Sequence, residues 1–356
     1  FGARGDGTTD CSPAFEQAIA SGVSVISVPA GTWLVGPEGL KLPDNTALIG
    51  EGPGSVLKLA AGTVQLLELG SGCRLERLAF DGTATSEGNL NEGVVRTAWT
   101  TGVTMCDVTF DHCDRSCLLT DNAAEVTVED CTFRDIGLAI HLVFSKRCRV
   151  SGNRVENARI HGIQFWGNWK WERHGSEDLV FTGNWVKEGG GGGIWGCGAD
   201  RVTMTGNIVD GVTDVGLDVE WCNDVAISGN VVKSAANAGI SCFFSCKRVA
   251  ITGNTILNDR PYEEPDPPAG WWCRAGIWLT APNPEEFASD LGHEAISIVG
   301  NVIHCEGGIR RAVWLPEAGK NIHLEANVLS GGGVWIGDKP AEQPLHHGMQ
   351  AAGQGD

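Results

Sequence analysis

The sequence predicts an all-β chain wound into a β-solenoid, and three observations predict it. First, a short motif, apolar-x-apolar-x-Gly-Asn-x-apolar, recurs along the chain. It reads VSGNRV around Asn153, VFTGNWV around Asn184, VTMTGNIV around Asn207, VAISGNVV around Asn230, VAITGNTI around Asn254, ISIVGNVI around Asn301 and IHLEANVL around Asn327. With degenerate copies at Asp107 and Asp130, the spacings are 23, 23, 31, 23, 23, 24, 47 and 26. A fixed period in this range marks stacked repeats rather than separate globules. Second, each period holds another short strand of the form Gly-Ile-x-apolar, as at Gly162, Gly193, Gly216, Gly239 and Gly276. Both strand types alternate with period two and are rich in Val, Ile and Thr, and helical spacing is absent. Third, Gly is 50 of 356 residues, about twice average usage, while Pro is only 14, which excludes collagen and Pro/Gly-rich disorder.

The elements follow in order. Two or three short strands per period predict about ten coils over residues 1–338, with 339–356 as a C-terminal tail. The repeated Asn fits a ladder in which each side-chain amide bonds the neighbouring turn, a structural role. Cys106, Cys131 and Cys148 fall at matching places in the repeat, so most of the 13 Cys read as buried thiols, with room for one or two disulfides.

The N-terminus carries a resemblance. Phe1-Gly2-Ala3-Arg4-Gly5-Asp6-Gly7-Thr8-Thr9-Asp10 leads into Ser12-Pro13-Ala14-Phe15-Glu16-Gln17-Ala18-Ile19, then Val28-Pro29-Ala30-Gly31-Thr32-Trp33 and Leu48-Ile49-Gly50-Glu51-Gly52. This resembles the opening of the pectate-lyase-like superfamily, which includes polygalacturonases, epimerases and phage tailspikes. The resemblance implies a single-stranded, right-handed parallel β-helix with a short N-terminal helix capping its open end. Ser12 or Asp10 is the expected N-cap, with Pro13 in the first turn.

Charge narrows the partners. The net charge is −18, which argues against a basic groove for nucleic acid and against anionic membranes, and no apolar run reaches transmembrane length. The chain starts at Phe1 without Met, so a trimmed leader and an extracellular or periplasmic location are expected. The fold resemblance leaves monomer and homotrimer open.

Alternation locates the chemistry. In the Gly-Ile-x-apolar strands the residues between the core positions form outward columns at a coil spacing of about 4.8 Å. One column reads His141, Gln164, Trp195, Asp218, Ser241, Trp278 and Trp314; the next reads Val143, Trp166, Cys197, Glu220, Phe243, Thr280 and Pro316. Trp on such a face, continued by Trp335, suits the apolar side of sugar rings. Two insertions flank it: one carries Arg173 and His174, the other, Arg260 to Cys273, carries Trp271 and is followed by Arg274. These features make Gln164, Trp166, Trp195, Trp278, Trp314, Phe243, Arg173, His174, Arg274 and Trp271 the expected substrate contacts.

Asp218 and Glu220 lie two apart on one strand and face the same way, and Asp214 sits in the turn before them. Crowding and partial burial push one carboxyl's proton affinity up beside an ionised partner. Glycoside hydrolysis needs such a pair. His161 is a further candidate for proton transfer. The resemblance adds that polygalacturonases carry catalytic Asp on this strand and in the turn before it, at places comparable to Asp214 and Asp218. The chain nonetheless lacks that family's Asn-Thr-Asp, Asp-Asp, Gly-His-Gly and Arg-Ile-Lys signatures. The expectation is therefore a glycosidase acting on a polysaccharide or oligosaccharide, with no cofactor, calcium being the one ion the acidic residues could recruit. The alternatives are a lyase or epimerase on uronic-acid sugars, disfavoured by the absence of Lys and Arg from the central columns, and a non-catalytic, tailspike-like glycan binder.

Overall fold

A computed structural model describes residues 1–83, 89, 91–168, 175–259, 275–286, 290–306 and 311–341. The chain divides into two compact units, Phe1–Trp166 and Gly167–Asp356. Each is built from the same coil of three short strands, and equivalent strands of successive coils pair in parallel. The motif strands form a first sheet, the strands after the Gly-Asn turn a second, and the Gly-Ile strands a third.

In Phe1–Trp166 the first sheet runs from Val25–Val28 to Lys146–Ser151, the second from Asp6–Asp10 to Arg154–Ala158, and the third from Leu40–Leu42 to Ile163–Trp166. Alternation puts like residues above like. Phe80, Phe110 and Phe133 share one register position, and their rings stack at 4.5 and 5.3 Å inside the coil. A fully buried Phe or Leu contributes roughly 1.5–3 kcal/mol, so such columns supply most of the stabilisation. The helix Ser12–Ala20 buries Ala14, Phe15 and Ala18 beside Ile26, Val28 and Trp33. Its N-cap position is Cys11 rather than Ser12 or Asp10, yet Asp10 does cap: its carboxylate accepts from the Ser12 N–H at 2.9 Å.

In Gly167–Asp356 the first sheet runs from Ser176–Thr182 to Lys320–Glu325, the second from Trp185–Gly189 to Val328–Ser330, and the third from Ile194–Cys197 to Gly333–Ile336. Among the described residues each unit has six coils, about twelve in all, in line with the expected number of about ten. Lys339–Pro340, assigned to the tail from sequence, folds back antiparallel on Trp335 and Ile336.

The Asn ladder forms here as a chain of bonds. Asn184, Asn207, Asn230, Asn254 and Asn301 each donate from Nδ2 to the next Asn Oδ1 at 2.9–3.0 Å. The same Oδ1 atoms accept from the backbone N–H groups of the preceding Asn residues at 2.8–3.0 Å. The register corrects the repeat alignment by one residue. Val128 pairs with Val150, which sets Asp107 and Asp130 level with Gly152 and Cys131 level with Asn153. Asp107 and Asp130 have φ of 52° and 53°, against 66° at Gly152. Asp takes the glycine's left-handed turn because its short polar side chain tolerates that conformation.

Cys106, Cys131 and Cys148 consequently do not share a column: Cys106 pairs with Glu129, and Cys148 lies two residues before Val150. All twelve described cysteines are free thiols and only Cys106 is not buried, so no disulfide occurs among the described residues.

Candidate active site

The strand Val215–Glu220 explains where its carboxylates go. Leu217 and Val219 are fully buried in the core, and the alternate positions Asp218 and Glu220 take the opposite face. Parallel pairing then aligns the columns read from sequence. Asp218 stands beside Ser241, Ser241 beside Trp278, Trp278 beside Trp314 and Trp314 beside Trp335. Glu220 lies between Cys197 and Phe243.

These columns are far less open than alternation predicts. Asp218 is 1 % exposed and Trp278 is 3 % exposed. Trp278 packs with Val215, Ala238 and Ala275, stacks on Trp314 at 5.0 Å and meets Phe243 edge-on at 4.7 Å. Large side chains 4.8 Å apart cover one another, which period-two reasoning does not register. Trp278 is therefore a packed residue, whereas Trp195, Trp314, Trp335 and Phe243 are half-buried.

The three carboxyls have distinct surroundings. The Ser241 hydroxyl donates to Asp218 Oδ1, and no donor reaches Asp218 Oδ2. Glu220 lies two residues on along the same strand face, close enough for the two charges to act on each other. Burial, then the Glu220 charge, pushes Asp218 well above the usual carboxylate range, against the Ser241 bond. Burial pushes Glu220 up to about 8, opposed by the Asp218 and Trp195 side chains and reinforced by the Asp214 charge. Asp214 is also raised by burial, but Asn237 Nδ2, at 2.6 Å, and the Val215 N–H stabilise its anion. The Asp218–Glu220 pair thus retains a proton at neutral pH and titrates as a unit. The buried thiols of Cys197, Cys222 and Cys246 form a poorly polar wall around it.

The remaining predicted residues fall elsewhere. His141, Gln164, Trp166 and His161 belong to Phe1–Trp166, where His141 pairs in register with Gln164 and Val143 with Trp166. Burial, then the nearby His141, pushes His161 down to about 4, so it is neutral at physiological pH. Gln164 is buried, and its Oε1 has no hydrogen-bond partner among the described residues. Arg173, His174, Trp271 and Arg274 lie outside the described residues.

One residue escaped the sequence reading. Arg311 opens the strand Arg311–Leu315, and its guanidinium lies 4.3 Å from the Trp314 ring and 5.1 Å from the Trp335 ring. It sits three positions before Trp314, off the alternating column, so spacing alone gave no signal for it.

Residues 73–171 and 170–283 match the family model described as a right handed beta helix region. The chain belongs to the right-handed β-helix family. Residues 1–72 of this β-helix protein match a second model, "Rhamnogalacturonase A/epimerase, pectate lyase-like", in agreement with the N-terminal resemblance. The preneck appendage protein of Bacillus phage PZA is 56 % identical over 52 residues, 15 % of this chain but only 6 % of that protein's length. The A-module of the mannuronan C-5 epimerase AlgE6 from Azotobacter vinelandii superposes with a TM-score of 0.74 at 17 % identity, covering 97 % of this chain and 95 % of that one. An exopolygalacturonase from Thermotoga maritima gives 0.62 at 15 % identity, covering 93 % and 90 %. At these identities the two structures share the β-helix fold.

No group of three or more His, Cys, Asp or Glu among the described residues is arranged to hold a metal ion. No helix among them is long and apolar enough to cross a membrane.

Proposed function

We propose that this β-helix protein is a carbohydrate-active enzyme that hydrolyses glycosidic bonds of a polysaccharide or oligosaccharide. The observation that carries the reading is the Asp214, Asp218 and Glu220 cluster, in which burial raises all three proton affinities on one outward face. Raised carboxyls concentrate at sites of proton transfer. Glu220 is the general acid: it is half-buried and holds its proton up to about pH 8. Asp214, half-buried and with its anion stabilised by Asn237, is the carboxylate that serves as base. Asp218 lies too deep to touch substrate and acts on Glu220 through its charge, as a positioning residue. In the step itself the bond from anomeric carbon to leaving oxygen breaks. The Glu220 proton passes to that oxygen, water adds to the carbon, and the water's proton goes to Asp214. The same fold in an epimerase and an exopolygalacturonase supports a carbohydrate substrate.

A second reading, a glycan-binding appendage without turnover, draws on the identity to the phage preneck protein. A polysaccharide panel with products analysed by mass and ultraviolet absorbance separates the readings. Hydrolysis yields fragments one water heavier, lost by about 10²–10⁴-fold in Glu220→Gln. Unsaturated products identify a lyase, and retention without cleavage identifies a binder; either outcome overturns the proposal.

A further inference from the structure

Arg311 differs in its partners from three arginines that stand on the coil surface. Arg134, Arg201 and Arg248 each grip a carboxylate through two nitrogens: Asp111, Asp178 and Asp224 respectively. Arg311 has no carboxylate within ion-pair distance among the described residues, although the chain carries 44 acidic residues against 26 basic ones. Its guanidinium lies on indoles instead, and its buried Nε has no hydrogen-bond partner.

The platform beneath it is braced. Trp314 Nε1 donates to the Gly337 carbonyl at 2.7 Å, and the ring stacks on Trp278 at 9° between planes. A flat guanidinium held on aromatic faces keeps its fork of N–H donors pre-oriented for a planar oxyanion. A partly buried cation in a strongly acidic chain, with no paired anion among the described residues, is complementary to an anion brought by a ligand. Trp314, Trp278 and Ser241 link this strand by register to Asp218, three coils away or about 14 Å, the length of about three sugar rings.

We infer that Arg311, Trp314 and Trp335 form a subsite for an anionic sugar ring, one bearing a carboxylate or a sulfate ester, about three rings from the carboxyl cluster. The ring's oxyanion pairs with the Arg311 fork while its apolar C–H groups meet the half-buried edges of Trp314 and Trp335. This rests on the hydrolase reading for its place along a glycan. It also answers the charge objection to such substrates, since the cation absent from the central columns stands beside them.

The test measures binding by calorimetry in the intact Glu220→Gln protein, so that turnover does not intrude. The probes are a galacturonate hexamer, the same hexamer with its carboxyls reduced to alcohols, and a carrageenan hexamer that carries sulfate only. At low salt one anionic probe binds at least ~10-fold more tightly than the reduced hexamer, a difference that shrinks as salt rises. Which anionic probe it is identifies carboxylate or sulfate. Adding Arg311→Gln abolishes the preference, and Arg311→Lys, which keeps charge but not the planar fork, restores part of it. The inference is overturned if neither anion is preferred, or if the preference survives Arg311→Gln with an unchanged melting temperature. If Arg311→Gln lowers that temperature, the folded Arg311→Lys variant decides by whether the preference drops. Cleavage of neutral and anionic glycans alike by the unmodified protein sinks this subsite and spares the hydrolase. An Arg311-dependent preference without any cleavage does the reverse.

Discussion

Two columns of polar side chains run through the same coils of Gly167–Asp356, and they end in opposite states. The Asn ladder is balanced. Asn230, for example, donates to Asn254 Oδ1 and the Met204 carbonyl and accepts from the Asn207 backbone and side-chain N–H groups. The amide carries both donors and an acceptor, so each added coil repeats the pattern with nothing left over. The Asp218–Glu220 column is unbalanced. Carboxylates only accept, so Asp218 takes one bond from Ser241, leaves its other oxygen unbonded and has its proton affinity raised by burial. A stacked fold can extend the first arrangement without limit and can support the second only locally. That is why Asn recurs with the repeat while the carboxyl cluster occurs once.

The largest separation of the two columns is expected from the ladder. Asn230→Ala strands buried donors on Asn207 and removes a donor from the Met204 carbonyl, while Asn254 Oδ1 keeps the Asn230 backbone N–H, at roughly 1–3 kcal/mol for each unsatisfied group. Chemical denaturation should show a stability loss of about 2–4 kcal/mol, with the pH profile of any activity unchanged. A loss below about 0.5 kcal/mol would mean that the ladder bonds are replaced by water and that the contrast is one of appearance.

The carboxyl column is expected to show its strain through pH. Glu220 binds its proton more tightly folded than unfolded, up to about 8 against 4.5. The stabilisation from keeping it neutral is therefore complete below about pH 4.5 and lost as pH rises through about 8. Glu220→Gln lacks this linkage. Its melting temperature should match that of the unmodified protein near pH 4 and exceed it by about 2–4 °C at pH 9. Parallel melting curves at both pH values would show that Glu220 is not held protonated.

The smallest effect concerns the Trp195 side chain, whose bond stabilises the Glu220 anion. Trp195→Phe keeps the ring and removes the N–H, so the alkaline limb of the activity profile should move up by about half a pH unit to one unit. A shift downward would mean that the indole N–H does not serve Glu220.

The N-terminal motif, the period near 23 residues and the two-residue alternation by themselves determined the three-strand coil, the Asn ladder and the face that carries Asp218, Glu220 and the indoles. Those features are local and periodic: a residue's place in the repeat sets its neighbours one coil above and below. The one-residue slip at Asp107 and Asp130 came from matching polar letters, when the quantity repeated there is a positive φ. Tertiary structure alone decided depth and company. It buried Trp278 under its own neighbours and sank Asp218 beneath Glu220. It also laid Arg311 on two indoles that its position in the repeat does not predict. Alternation gives the side of a strand on which a residue stands. How deep it lies, and what proton affinity follows, depends on the bulk of the side chains stacked around it and on the charges they bring within reach.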